Sequence, residues 1–144
     1  WPGQIGAKMT CGQTICLTDL LATVADITGE AVMAEDSVSI LPALLDPNLE
    51  KPLHEAIVNH SANGVFAIRQ GDWKLIQGLG SGGFSSPRVE ELEPGGPMGQ
   101  LYNLADDPGE TENLYLNRPE IVEQLSELLT EYQQQEHSNP EHGC

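Results

Sequence analysis

Four carboxylates crowd into LYNLADDPGETENL, the stretch from Leu101 to Leu114: Asp106, Asp107, Glu110 and Glu112. Carboxylates beside carbonyl oxygens are the ligand type of a hard cation such as Ca²⁺. The helix–loop–helix calcium spacing D-x-D-x-D-G-x₅-E is missing, however, and Pro108 stiffens the backbone midway. Turn chemistry accounts for the same residues. Asp107-Pro108-Gly109 is a turn, Glu110 and Asn113 are placed to satisfy free backbone groups, and Leu114 follows as an apolar anchor. A structural clasp without metal ligands is expected.

Asn59-His60-Ser61 stands at the end of an apolar run, where a rigid strand aims side chains into a cleft. His60 there suits proton transfer or an anionic group. A triad of Ser61, His60 and Asp72 is conceivable in composition. Neighbouring residues of a strand point to opposite faces, though, and no G-x-S-x-G turn exposes the Ser. His60 remains the candidate for contact with a ligand. Arg69 and Lys74 flank a turn and read as solvated charge on a strand face; Phe66 and Trp73 read as core anchors. His137 and His142 lie in a polar tail that reads as disordered. Cys11, Cys16 and Cys144 have no metal-type spacing, which leaves one disulfide or free buried thiols open.

The elements that must position these groups follow from periodicity. TDLLATVADITG reads as a helix over about 18–28, with Thr18 as N-cap, Leu17, Leu20, Leu21, Val24 and Ile27 on one face, and Gly29 as the stop. SILPALLDP gives a short helix over about 39–45, ended by Asp46-Pro47. From residue 55 the period shortens. Ala56-Ile57-Val58 is a strand, 65–76 is a β-hairpin turning at Gln70-Gly71-Asp72, and Leu101-Tyr102-Asn103-Leu104 is the last strand. Residues 78–99 hold seven Gly and three Pro and read as a long mobile loop. PEIVEQLSELLTEYQQQ is an amphipathic helix capped by Asn117, with Ile121, Val122, Leu125, Leu128, Leu129 and Tyr132 as its apolar stripe.

Bulk properties narrow the partners. The 144 residues suffice for a modest core, and the apolar 39% falls into blocks, so the chain is not of disordered type. Twenty-two acidic residues against six basic ones give a net charge of −16. That balance excludes counterion-driven nucleic-acid binding and attraction to anionic lipid. No apolar run reaches membrane-spanning length. The opening Trp1-Pro2-Gly3, without an initiator Met or a signal-peptide pattern, reads as the start of a fragment.

Four blocks in this order resemble the C-terminal part of the sulfatase family, the arylsulfatase-like members of the alkaline-phosphatase superfamily. They are WPGQI, then LTDLLATVADITG with SVSILPALL, then HSANGVFAIRQGDWKLI, and finally LYNLADDPGETENL with its helix. The resemblance spans about residues 1–133; Ala22 departs from it, standing where the family often has Pro, and the Gly-rich loop is poorly matched. The implied fold is α+β, a small antiparallel sheet of about four strands with the C-terminal helix packed across it. Residues 1–52 would then be a remnant of the large α/β domain, 53–136 the C-terminal subdomain, and 137–144 a disordered tail.

The chemistry that the resemblance implies is sulfuric ester hydrolysis, with a formylglycine made from Cys or Ser in a C/S-x-P-x-R motif beside calcium. Neither is expected in this chain. The family's aspartates, Asp-Asn metal pair and catalytic Lys precede WPG, and in Ser85-Ser86-Pro87-Arg88 the Arg comes one place early. The chain is thus expected to be inactive alone, with no catalytic residue. His60 and Ser61 are its one carried-over site, since in some relatives this strip borders the substrate pocket. The implied partners are the rest of the catalytic domain and, for the parent enzyme, a sulfated small molecule or glycan. Leu20, Leu21, Val24 and Ile27, left without neighbours, favour self-association. Relatives are often secreted, periplasmic or lysosomal, and the compartment stays open. The competing readings are a free-standing interaction module derived from such a tail, and the tail of a related superfamily phosphatase.

Overall fold

The structure, a computed structural model, describes residues 1–135. The chain divides into two compact units, one built on Trp1–Ile57 and the other on Val58–Gln134.

In the first unit a 3-10 turn, Leu17–Asp19, leads into α1 (Leu20–Thr28), and α2 (Leu41–Leu45) follows. Gly29 ends α1 at φ 74°, a left-handed conformation that a glycine adopts without a steric cost. The cap differs from expectation. Thr18 lies inside the 3-10 turn, and the carboxylate of Asp19 accepts the Cys16 N–H at 2.7 Å instead. Asp19 is fully buried, and its other oxygen accepts the Val38 N–H at 3.1 Å. Thr23 continues this polar seam: its hydroxyl donates to the Asp19 carbonyl at 2.6 Å and accepts the Ile40 N–H at 3.0 Å. Gln13 ties the entry segment down, donating to the Leu49 carbonyl at 2.7 Å and accepting from the Leu53 N–H at 3.0 Å. This unit is held largely by side-chain to backbone bonds. Its buried apolar residues, Ala34, Ile40, Ala43 and Ala56, are mostly small, while Leu17, Leu20, Leu21, Val24 and Ile27 are all exposed.

The second unit is a four-stranded antiparallel sheet in the order β1-β2-β3-β4 with α3. Its strands are β1 (Ile57–His60), β2 (Phe66–Gln70), β3 (Trp73–Ile76) and β4 (Gln100–Asn103), and α3 is Pro119–Gln135. The fold is therefore α+β, as the sequence predicts. Register explains the core. Ile68 pairs with Leu75, and Leu75 with Leu101, so three fully buried side chains form one row across three strands. Leu125 and Leu129, four apart on α3, are equally buried. Each such side chain contributes about 1.5–3 kcal/mol by leaving water. Gln124 on α3 donates to the Gln70 side chain at 3.0 Å, a polar tie between helix and β2.

Three expectations fail here for local reasons. Phe66 opens its strand 37% exposed and Trp73 is half-buried, so neither anchors the core; the aliphatic row does. Lys74 is half-buried and ion-paired, with Nζ 2.6 Å from Oε1 of Glu110. Pro119 opens α3, so Arg118 holds the cap position expected of Asn117. His137, His142, Cys144 and the expected tail disorder lie outside the described residues.

Candidate substrate-bordering site

β1 delivers His60 and Ser61 to a tight turn. The Ser61 N–H donates to the Val65 carbonyl at 2.9 Å, the Gly64 N–H returns to the Ser61 carbonyl at 2.9 Å, and the Ser61 hydroxyl accepts the Val65 N–H at 3.2 Å. Ser61 is thus spent on closing the turn. His60 is not: its Nδ1 sits 2.9 Å from the Ser61 carbonyl. A carbonyl only accepts, so Nδ1 carries the proton and Nε2 keeps its lone pair when the ring is neutral. Phe66 braces the ring edge-on, with centroids 6.0 Å apart and planes at 69°. The imidazole is exposed but oriented. Among the described residues no bond joins it to the Ser61 hydroxyl or to the Asp72 carboxylate. The triad does not form.

The Gly-rich stretch, read from sequence as a mobile loop, begins as a pinned element. Ser81 N–H donates to the Pro87 carbonyl and Gly82 N–H to the Arg88 carbonyl, both at 2.9 Å. Gln100 anchors its base by donating to the carbonyls of Gly78 and Gly80, while its own oxygen accepts the Tyr102 hydroxyl at 2.8 Å. Burial, with Glu110, Asp107 and Glu90 adding repulsion, raises the pKa of that phenol above its ordinary value. Gly82 meets the turn directly. The Asn63 N–H donates to its carbonyl at 3.1 Å, and a Cβ on Gly82 would fall 2.6 Å from the Ser61 hydroxyl oxygen. With φ at 58° as well, only glycine fits. Sequence reading missed Gln100 and Gly82 because both act through distant backbone; the run of glycines was the available signal.

The clasp after β4 is built as a cap. The carboxylate of Asp107 accepts the N–H of Thr111 at 2.6 Å and of Glu112 at 2.9 Å, and the Thr111 hydroxyl at 3.0 Å. Led by the Glu112 N–H, these bonds hold its pKa below the usual carboxylate value against a smaller desolvation effect. Asn113 accepts from the N–H of Leu101 and of Tyr115, both at 3.0 Å, and donates to the Gly99 carbonyl at 3.1 Å. Asn113 therefore satisfies backbone groups as expected, whereas Glu110 serves Lys74. Among the described residues no three His, Cys, Asp or Glu side chains gather as metal ligands, and Cys11 and Cys16 are free thiols. The first unit also holds a cleft of about 630 Å³ between α1 and the 49–53 segment, in which Asp26 is already bonded to Ser39 at 2.7 Å.

Likeness to known proteins agrees with this geometry. No protein-family model matches the chain. It is 33% identical over 118 residues to an N-acetylgalactosamine-6-O-sulfatase of Bacteroides thetaiotaomicron, covering 77% of the chain and 22% of the relative. A solved structure described under the metabolism of multiple glycosaminoglycans by the same organism superposes with a TM-score of 0.60 at 32% identity, over 78% of this chain and 24% of that one. Another, solved with its substrate D-glucosamine-2-N,6-O-disulfate, gives 0.68 at 23% identity over 94% and 27%, a likeness of fold. The chain spans about a quarter of the length of the relatives it matches. At 33% identity over 77% of its length to a sulfatase, and with a solved structure at 32% identity sharing its fold, the chain belongs to the sulfatase family.

Proposed function

We propose that this chain is the C-terminal part of a sulfuric ester hydrolase acting on a sulfated hexosamine, and that it borders the substrate pocket without carrying out the cleavage. The observation that carries the reading is the 33% identity to an N-acetylgalactosamine-6-O-sulfatase, across most of this chain but only 22% of that enzyme. Cleaving a sulfate ester needs an activated nucleophile and a cation to neutralise charge on the transferring oxygens. The residues described here do not fit either: the acidic clasp is occupied by its own backbone, and Ser85-Ser86-Pro87-Arg88 lacks the motif spacing. Calcium and the formylglycine are therefore assigned to the rest of the hydrolase, which is also this chain's partner.

His60 has the role left to it. With Nδ1–H fixed on the Ser61 carbonyl, its neutral ring offers Nε2 to a sugar hydroxyl or amide N–H; protonated, it donates to a sulfate oxygen. Ser61 holds the turn that aims it. Release of inorganic sulfate from N-acetylgalactosamine-6-sulfate by the full-length protein tests this. His60→Ala should raise KM about tenfold, the loss of one hydrogen bond to a charged or polar group, with a smaller change in kcat. Identical KM and kcat would remove His60 from the pocket; no sulfate release by the intact protein would remove the activity.

A further inference from the structure

The loop Gly80–Arg88 has no part in the fold's core, yet it is closed and docked. Backbone bonds from Ser81 to Pro87 and from Gly82 to Arg88 shut its neck, and the Ser81 hydroxyl bonds the Ser85 carbonyl across the tip at 2.5 Å. Gly82 is buried against Ser61, the residue after His60. Phe84 stands two residues beyond that contact, within about 7 Å of it along the backbone. It is 93% exposed, more than any other large apolar side chain among the described residues. A phenyl ring gains nothing from such a position unless something covers it. Arg88, at the other side of the neck, is exposed and makes no ion pair or side-chain hydrogen bond among the described residues. That is unusual in a chain of net charge −16, where carboxylates outnumber cations 22 to 6. An apolar ring, an unneutralised guanidinium and an oriented imidazole thus share one end of the sheet.

We propose that this loop is a saccharide-binding lip: Phe84 covers the C–H face of a hexosamine ring, and Arg88 pairs with an anionic group on the same sugar chain. The electron-rich face of an aromatic ring attracts polarised C–H groups, which a pyranose presents on one side. Guanidinium geometry matches the paired oxygens of a sulfate or carboxylate. The proposal deepens the hydrolase reading and rests on its substrate class. It adds binding residues to the His60 site, at a loop that the sequence left without a role.

The test is an amide NMR titration of the 144-residue chain, carrying Leu21→Glu and Val24→Lys on the exposed face of α1 to keep it monomeric, with N-acetylgalactosamine-6-sulfate, and with unsulfated N-acetylgalactosamine as the second probe. Saturable shifts confined to residues 60–64 and 80–88 are expected. Phe84→Ala should weaken binding about tenfold while Phe84→Tyr keeps it, since the ring face is what binds. Arg88→Gln should remove the preference for the sulfated sugar, also about tenfold. Both side chains are exposed, so unchanged spectra elsewhere will confirm that the variants fold. Absence of saturable shifts at 80–88, or equal affinity of Phe84→Ala and the parent, overturns the lip. Those results leave the hydrolase reading standing if the full-length protein releases sulfate. Binding with the expected pattern but no sulfate release would leave the lip and remove the hydrolase.

Discussion

His54 and Asp19, 35 residues apart in sequence, meet at 2.9 Å through Nε2 and Oδ2, with side chains 7% and 0% exposed. The same carboxylate holds the N–H groups of Cys16 and Val38. One buried side chain therefore fixes the start of α1, the approach to α2 and the segment that leads to the sheet. A carboxylate with three donors satisfies the requirement that a buried charge be paired and hydrogen-bonded. Asp19→Ala would strand two backbone N–H groups and an imidazole at once. We expect a loss of about 3–5 kcal/mol, the range for breaking a buried pair by removing one partner. Urea unfolding followed by Trp1 and Trp73 fluorescence measures it; a change below about 1 kcal/mol would show that water replaces the carboxylate freely.

Asp107 gives the clasp a pH dependence. Its pKa is lowered in the folded chain, chiefly by the Glu112 N–H and then by Thr111. The bonded carboxylate therefore stabilises the fold above the ordinary Asp pKa, and that stabilisation is lost as pH falls through the lower folded value. The amide resonances of Thr111 and Glu112 should titrate with a midpoint below that of an ordinary Asp, and Asp107→Asn should flatten the curve. A midpoint at or above the ordinary value would mean that the clasp is open in solution.

Gly82 is the one position where adding a methyl group should separate the loop from β1. Gly82→Ala brings a Cβ to the Ser61 hydroxyl and forces a left-handed φ on an L residue. The strain is about 1–3 kcal/mol, enough to undock the loop while the row of Ile68, Leu75 and Leu101 stays packed. Hydrogen exchange should speed up at Asn63 and Gly82 and remain slow in β3. Protection unchanged at Asn63 would count against the docked geometry.

The exposed face of α1 makes a prediction about assembly. Leu20, Leu21 and Val24 are each more than half exposed, with Ile27 at 43% and Leu17 at 86%. A contiguous apolar face of this kind marks an interaction site or an aggregation liability. Expressed alone, the chain should self-associate, and the double change Leu21→Glu with Val24→Lys should return it to monomer mass by light scattering. A monomeric parent chain at tens of micromolar concentration would refute this.

Local patterns carried most of the secondary structure. Alternation in 65–76 located both strands and the Gln70-Gly71-Asp72 turn, because a hairpin's register depends on neighbours in sequence. The 3–4 spacing of α3 and the left-handed stop at Gly29 were equally legible, since helix faces and caps are set within a few residues. The Asn113 bonds followed from its side chain's reach to nearby backbone.

Sequence alone thus determined which segments would be helix or strand, that the acidic stretch was turn chemistry, and, through four blocks in order, the family to which the chain belongs. Tertiary structure alone decided that Asp19 is an interior hub, that Lys74 finds Glu110, that the row of Ile68, Leu75 and Leu101 rather than Phe66 and Trp73 centres the core, and that the glycine loop is docked beside His60. The physical reason is range. A helical turn or a capping bond is selected among conformations a few residues long, whereas a buried carboxylate or a docked glycine gains its partners from 19 to 35 residues away, after the chain has closed the loops between them.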